Sequence, residues 1–171
     1  MVRKRRSNGK FAHLKNNLIP IMLTAIAVSI LVLLLNYLNF DLHYGNGSSA
    51  IIFASFGVSA YLLFVLPRSR TSKISGFVKS YIFAMIAGLL GFYMLGFVPV
   101  YVVAGIVVFL VSVMISVGNA FHPPAIGISL AFVLFRIGVY GAFIVIFGML
   151  ILLFLRLVLE KSIYTAEKNI V

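Results

Sequence analysis

The chain reads as an all-α integral membrane protein with six transmembrane spans, arranged as two three-span inverted repeats whose second and fifth spans are discontinuous. Three observations lead there. Of its 171 residues 63% are hydrophobic and only 10% charged, with a mean hydropathy of +1.16, more apolar than a soluble core requires. The apolar stretches run for the ~17 to 25 residues that one helical crossing needs and lack the period-two alternation of barrel strands. Because unpaired peptide groups are so costly in hydrocarbon, the spans must be helices. Finally, a Gly-x-Ser step recurs in the second span of each half, at Gly57–Ser59 and Gly127–Ser129.

Taken in order, the spans are predicted at Leu18–Phe40, Ser48–Leu66, Ser80–Val98, Pro99–Val117, Asn119–Phe135 and Ile137–Leu159. The organisation is a basic tail over 1–17, a first repeat over 18–98, a second over 99–159 and a closing tail over 160–171. The apolar run behind the basic start is long and lacks a small-residue cleavage pattern, so the first helix is expected to be retained rather than cleaved as a signal peptide. Lys and Arg set the orientation. The first tail, the connection "PRSRTSKISGFVK" and the last residues are basic, whereas "DLHYGNG" and "GFVPVY" hold neither Lys nor Arg. Six crossings therefore place both termini in the cytoplasm. The net charge of +11 sits beside the apolar runs, where topology and anionic headgroups account for it, and no nucleic-acid partner is expected. The partners expected are the lipid bilayer and further copies of the chain, because six short spans bury few internal faces.

The stretch "GNAFHPPAIGISLAFVLF" (118–135) interrupts a chain otherwise built for lipid. Pro123 and Pro124 remove backbone donors and disfavour helix before them, so a break is expected there. Gly45, Asn46, Gly47, Ser48 and Ser49 precede Gly57 much as Gly118, Asn119, Pro123 and Pro124 precede Gly127. Both stretches are expected to enter the membrane extended and to become helical near its middle. Two half-helix starts would then face each other, presenting the amides of Val58, Ser59, Ile128 and Ser129, the hydroxyls of Ser59 and Ser129, and a close backbone approach at Gly57 and Gly127. Positive dipole ends and free amide donors favour an anion. The bland reading of the small residues is helix packing. For His122 two readings stand side by side, a donor that meets or gates the anion and a capping residue bonded to a local carbonyl.

The charge inventory points the same way. The only acids are Asp41, Glu160 and Glu167, all at span ends, leaving no interior carboxylate for a metal ion, sodium or a proton relay. There is no cysteine, and the three histidines stand apart at 13, 43 and 122. Neither a metal site nor a nucleophilic or paired-carboxylate set can be assembled, so no enzyme and no cofactor is expected. The alternative to a transporter or channel is a non-transporting subunit that docks on other membrane proteins through small-residue surfaces such as "AGLLGFYMLG" (87–96).

"FHPPAIGISL", preceded by Gly-Asn and paired with the earlier "FGVSAYLLFVLP", resembles the HPP family of small integral membrane proteins over roughly residues 45–160. Members usually follow His-Pro-Pro with an Ala-Gly-Ala kind of stretch, which Ala125, Ile126 and Gly127 replace here. The resemblance implies transport of nitrite, as proposed for plastid-envelope and cyanobacterial members; nitrate and chloride, monovalent and similarly compact, are expected as competitors on charge and size. A prokaryotic plasma membrane is the expected location.

Overall fold

The computed structural model describes residues 18–33 and 48–158. The two tails, Asp41, both glutamates, the "DLHYGNG" connection and the expected end of the first span lie outside the described residues, as do the expectations placed on them.

Among the described residues the chain is all-helical, without strands. The helices are α1 (Leu18–Leu33), α2 (Ser48–Val65), α3 (Ile74–Met94), α4 (Val100–Val117), α5 (Pro124–Leu134) and α6 (Gly138–Val158), with a 3-10 turn at Arg70–Ser72. Three of them, α3, α4 and α6, are long and apolar enough to cross a membrane. The predicted fourth and sixth spans coincide with α4 and α6 to within a residue. The third helix starts earlier than predicted, because Lys79 lies inside it with its side chain exposed rather than ending the span. A long aliphatic stem lets such a cation reach polar surroundings from within a helix.

The second span is not discontinuous. α2 runs without a break from Ser48 through Gly57 to Val65, which corrects the expectation of a half-helix beginning at Gly57. Nothing in this stretch removes a backbone donor, and one interior glycine weakens a helix by only ~1 kcal/mol. The fifth span does begin late. α5 has 11 residues, about 16 Å of helix, and residues 118–123 before it are not helical. Opposed half-helix starts are therefore not formed, since only α5 supplies one.

The break is a helix stop rather than an extended entry. α4 ends on Gly118, and Asn119 takes the left-handed conformation with φ 51°. Asn119 N–H donates to Ser116 O at 3.3 Å, and Ala120 N–H to Ile115 O at 2.9 Å. That pair is the Schellman pattern, with asparagine in the place glycine usually takes, and Ala120 and Ile115 are both buried. Pro124 then opens α5 at a first-turn position, where its missing N–H and fixed φ suit a helix start.

α5 is the central helix. It runs alongside α3 from the level of Gly76, beside Ala120 and Phe121, to that of Gly91, beside Val133. Gly88 makes this possible, because a Cβ there would lie 2.8 Å from the Phe132 ring. α2 lies antiparallel to α5 on its other flank, pairing Ser55 with Gly127 and Ser59 with His122. Phe56, Phe64, Phe77, Tyr81, Ile128 and Phe132 of these helices are fully buried, with the Phe56 and Phe77 rings beside Tyr81 and Phe56 also against Gly148 of α6. The connections 66–73 and 118–123 meet at one end of the bundle, which also holds Arg70, Lys73 and Lys79. Exposed Arg136, with φ 52°, belongs to the opposite end, where Gly138 approaches Phe92.

Candidate functional site

At the start of α5 a buried polar set interrupts the apolar core. His122, Ser59 and Tyr81 are each fully buried, and each comes from a different element. Ser59 Oγ lies 2.8 Å from His122 Nε2 and 2.7 Å from Tyr81 Oη, and its own hydroxyl reaches Ser55 O at 2.8 Å. On the far side of the ring, Nδ1 lies 2.7 Å from Thr71 O. A carbonyl only accepts, so Nδ1 carries a hydrogen and donates it. Phe77 meets the imidazole edge-on at 5.0 Å between centroids. Polar atoms buried this deeply persist because each has a partner.

His122 belongs to the connection between α4 and α5, outside the helical spans. Burial pushes its imidazole below the ordinary histidine range, and the bond to Thr71 partly opposes that shift. Desolvation disfavours the charged ring, while a donor bond to a carbonyl favours it.

Beside this set, at the basic end, opens a polar cavity of about 410 Å³ lined by Arg70, Lys73, Ser75, Gly76, Lys79 and Asn119. Its arginine is held in place. Arg70 Nη2 donates to Asn119 Oδ1 at 2.9 Å, and the guanidinium sits 3.7 Å above the Phe121 ring, a cation–π geometry. The Schellman stop thus orients Asn119 as well as ending α4. Two contacts, Arg70–Asn119 and Thr71–His122, fasten the 3-10 turn to the 118–123 connection. Among the described residues there is no carboxylate to neutralise the three cations of the cavity.

Of the residues expected to bind an anion, the structure brings Ser59 and His122 together and sets the others apart. Gly57 is open, with nothing within 4 Å of a Cβ built on it, and Val58 is 51% exposed on the outer face of α2. The amides of Val58 and Ser59 lie inside α2, and those of Ile128 and Ser129 inside α5, where they serve the i to i−4 ladder. The α5 start offers no spare donors in its first turn. Pro123 and Pro124 have none, Ala125 N–H donates to His122 O at 3.2 Å, and Ile126 N–H to Pro123 O at 3.0 Å. Ser129 Oγ donates to Ile126 O of its own helix. Gly127 permits contact with α2, since a Cβ there would sit 2.5 Å from Ser55 Oγ.

The chain matches the family described as HPP, transmembrane region, over residues 13–168. It belongs to the HPP family of membrane proteins. No curated protein and no solved structure matches it.

The HPP motif can now be read physically. Its prolines begin α5, and its histidine bonds both to α2 and to the turn that follows α2. Sequence reasoning missed Tyr81 and Thr71, gave Asn119 to an extended entry rather than to a cap that holds Arg70, and used Arg70, Lys73 and Lys79 only for orientation. The basic run between the second and third spans was a visible signal for the cavity. Tyr81, one aromatic among many in an apolar span, gave none.

Proposed function

We propose that this HPP protein carries a small monovalent anion across the membrane, nitrite first and nitrate or chloride as competitors, and that the anion is gathered at the basic end beside the HPP motif rather than at the midplane. The observation that carries this reading is the cavity of Arg70, Lys73 and Lys79, which adjoins the break before α5 and, among the described residues, has no carboxylate near it. Clustered cations with low-dielectric walls raise the local concentration of anions. The next polar set inward, Ser59, His122 and Tyr81, holds no permanently charged group. It therefore favours a singly charged ion over sulfate, whose second charge would need a fixed cation.

The same reading places the basic end in the cytoplasm with both termini, in a prokaryotic plasma membrane, and takes the protein as a homo-oligomeric carrier rather than an enzyme. It treats α1–α3 and α4–α6 as inverted repeats that differ at their second helix. For the alternative, a docking role through residues 87–96, less small-residue surface remains: Ala87, Gly88 and Gly91 are buried, with Gly88 and Gly91 turned toward Phe132 and Val133, while Leu90, Tyr93 and Gly96 are exposed.

Uptake of nitrite into proteoliposomes tests the proposal. Wild type should accumulate nitrite down an imposed gradient, and Arg70→Gln with Lys79→Gln should slow uptake at low salt by ~10-fold or more, with the difference shrinking at high salt. Wild-type vesicles that are no more permeable than empty ones would overturn it.

A further inference from the structure

The hydrogen inventory around Ser59 has a consequence for protons. Ser59 has one hydroxyl hydrogen and three neighbours at 2.7 to 2.8 Å: Ser55 O, Tyr81 Oη and His122 Nε2. Since Nδ1 donates to Thr71, a neutral ring presents Nε2 as an acceptor. Tyr81 then donates to Ser59, and Ser59 donates to Nε2. Ser55 O loses nothing essential, because it still serves the α2 ladder. A protonated ring presents Nε2–H as a donor instead. Ser59 then accepts from both Nε2–H and Tyr81 and turns its own hydrogen to Ser55 O. Every donor has an acceptor in either state, and one hydroxyl rotation separates them.

We infer that His122 is the binding site of a proton that travels with the anion, so that transport is proton-coupled, with Nε2 taking the proton and Ser59 as the positioning residue that accommodates it. This rests on the anion reading above. The groups that face or flank the ring are Tyr81 from α3, Ser59 from α2, Thr71 and Arg70 from the turn, with Lys73 and Lys79 around the adjoining cavity and Arg156 of α6 bonded to Leu63 O at the same end. Among the described residues all the charged ones are cations. With the cavity empty they oppose a further positive charge, as burial does. An anion among Arg70, Lys73 and Lys79 removes part of that repulsion, so the imidazole gains affinity for a proton when the anion is bound. Linkage makes the effect reciprocal: protonated protein binds the anion more tightly.

The experiment is calorimetric titration of nitrite into purified full-length protein between pH ~5 and 8, in paired buffers of different ionisation heat, which reports protons taken up per anion. Wild type should take up close to one proton, and its Kd should weaken by up to ~10-fold per pH unit on the alkaline side. His122→Gln should show neither proton uptake nor pH dependence. Ser59→Ala, which leaves Nε2–H without its acceptor, should lower the uptake. The double variant His13→Gln, His43→Gln, in which His122 is the remaining histidine of the three, should keep it, and so assigns the proton even where His122→Gln does not fold. Nitrite binding with no proton uptake at any pH would overturn the coupling and leave the anion reading standing. Full uptake by folded His122→Gln would also overturn it. Absence of nitrite binding by wild type at every pH would overturn both.

Discussion

α2 and α5 carry the same Gly-x-Ser step and lie antiparallel against each other, yet one is a continuous helix of 18 residues and the other a helix of 11 that starts just before its glycine. What separates them is not the shared step but what comes before it. Gly45 to Ser49 are permissive residues, which favour a turn yet remove no backbone donor and so do not forbid a helix, and α2 is helical from Ser48 onward. Gly118, Asn119, Pro123 and Pro124 are prescriptive: a left-handed asparagine closes one helix and two prolines start the next. Small residues tolerate a break, and only residues that consume or remove donors enforce one.

The sharpest way to break that contrast is to move the prescription. Ala54→Pro puts a proline in mid α2 at an exposed side chain, so that only the backbone is disturbed. It should destabilise the protein by ~3 kcal/mol or more, read as the loss of a cooperative thermal transition in detergent. The reverse change should be mild. Pro123→Ala with Pro124→Ala leaves the Asn119 stop in place, so each site should cost only about 0.4–1 kcal/mol, through a more flexible unfolded chain. Equal losses from the two variants would mean that the prolines, not Asn119, hold α4 and α5 apart.

Much of this was legible from the residues. Span lengths follow from the hydrocarbon thickness, which is why α4 and α6 agree with prediction to within a residue, and the donor-poor Pro123–Pro124 pair marked its own break. The parts that were not legible are of two kinds. Gly-Asn at 118–119 signals a change of direction, and choosing between an extended entry and a left-handed cap depends on whether the carbonyls of Ile115 and Ser116 find partners, which only the folded turn decides. The contacts of Ser59 with His122 and Tyr81 join residues far apart in the chain, and no local periodicity encodes them. Opposed helix starts are not formed because nothing before Gly57 removes a donor and α2 stays continuous; overlooking Tyr81 follows from the second.

The two glycines sharpen the comparison next. Gly127→Leu drives a side chain into Ser55 of α2, whereas a side chain at Gly57 meets nothing within 4 Å. The first should lose stability near the upper end of the ~1–3 kcal/mol typical of overpacking, and the second should stay within ~0.5 kcal/mol of wild type. Thermal unfolding in one detergent decides it. A Gly57→Leu variant as damaged as Gly127→Leu would mean that the outer face of α2 is covered in the assembled protein.

The two serines come next in size. Ser59 serves three neighbours, while Ser129 donates to Ile126 O of its own helix. Ser59→Ala strands buried polar atoms of His122 and Tyr81 and should cost ~1 to 2 kcal/mol. Ser129→Ala removes a bond that only competes with helix backbone and should be close to neutral. Matching losses would shift the polar centre of the molecule away from His122.

The smallest effect concerns the tie between α2 and the entry to α5, and it is read by pH. Burial lowers the proton affinity of His122 in the folded protein, whereas in the unfolded chain a histidine titrates near ~6.5. Above that value the ring is neutral in both states and folding stability is unaffected. As pH falls below ~6.5 the unfolded chain takes up the proton first, so stability declines until the pH passes the lower folded value, where the loss levels off. Unfolding temperatures at pH about 7.5, 6.5 and 5.5 should therefore fall on acidification by more in wild type than in His122→Gln. Saturating nitrite should reduce that difference, because an anion among Arg70, Lys73 and Lys79 offsets the charge on the ring. A wild-type protein that gains stability relative to His122→Gln on acidification, without any anion added, would mean that the Ser59 and Thr71 contacts outweigh burial and hold an imidazolium in the resting state. α2 and α5 would then be joined by a permanent buried cation rather than by a ring that charges only as the anion arrives.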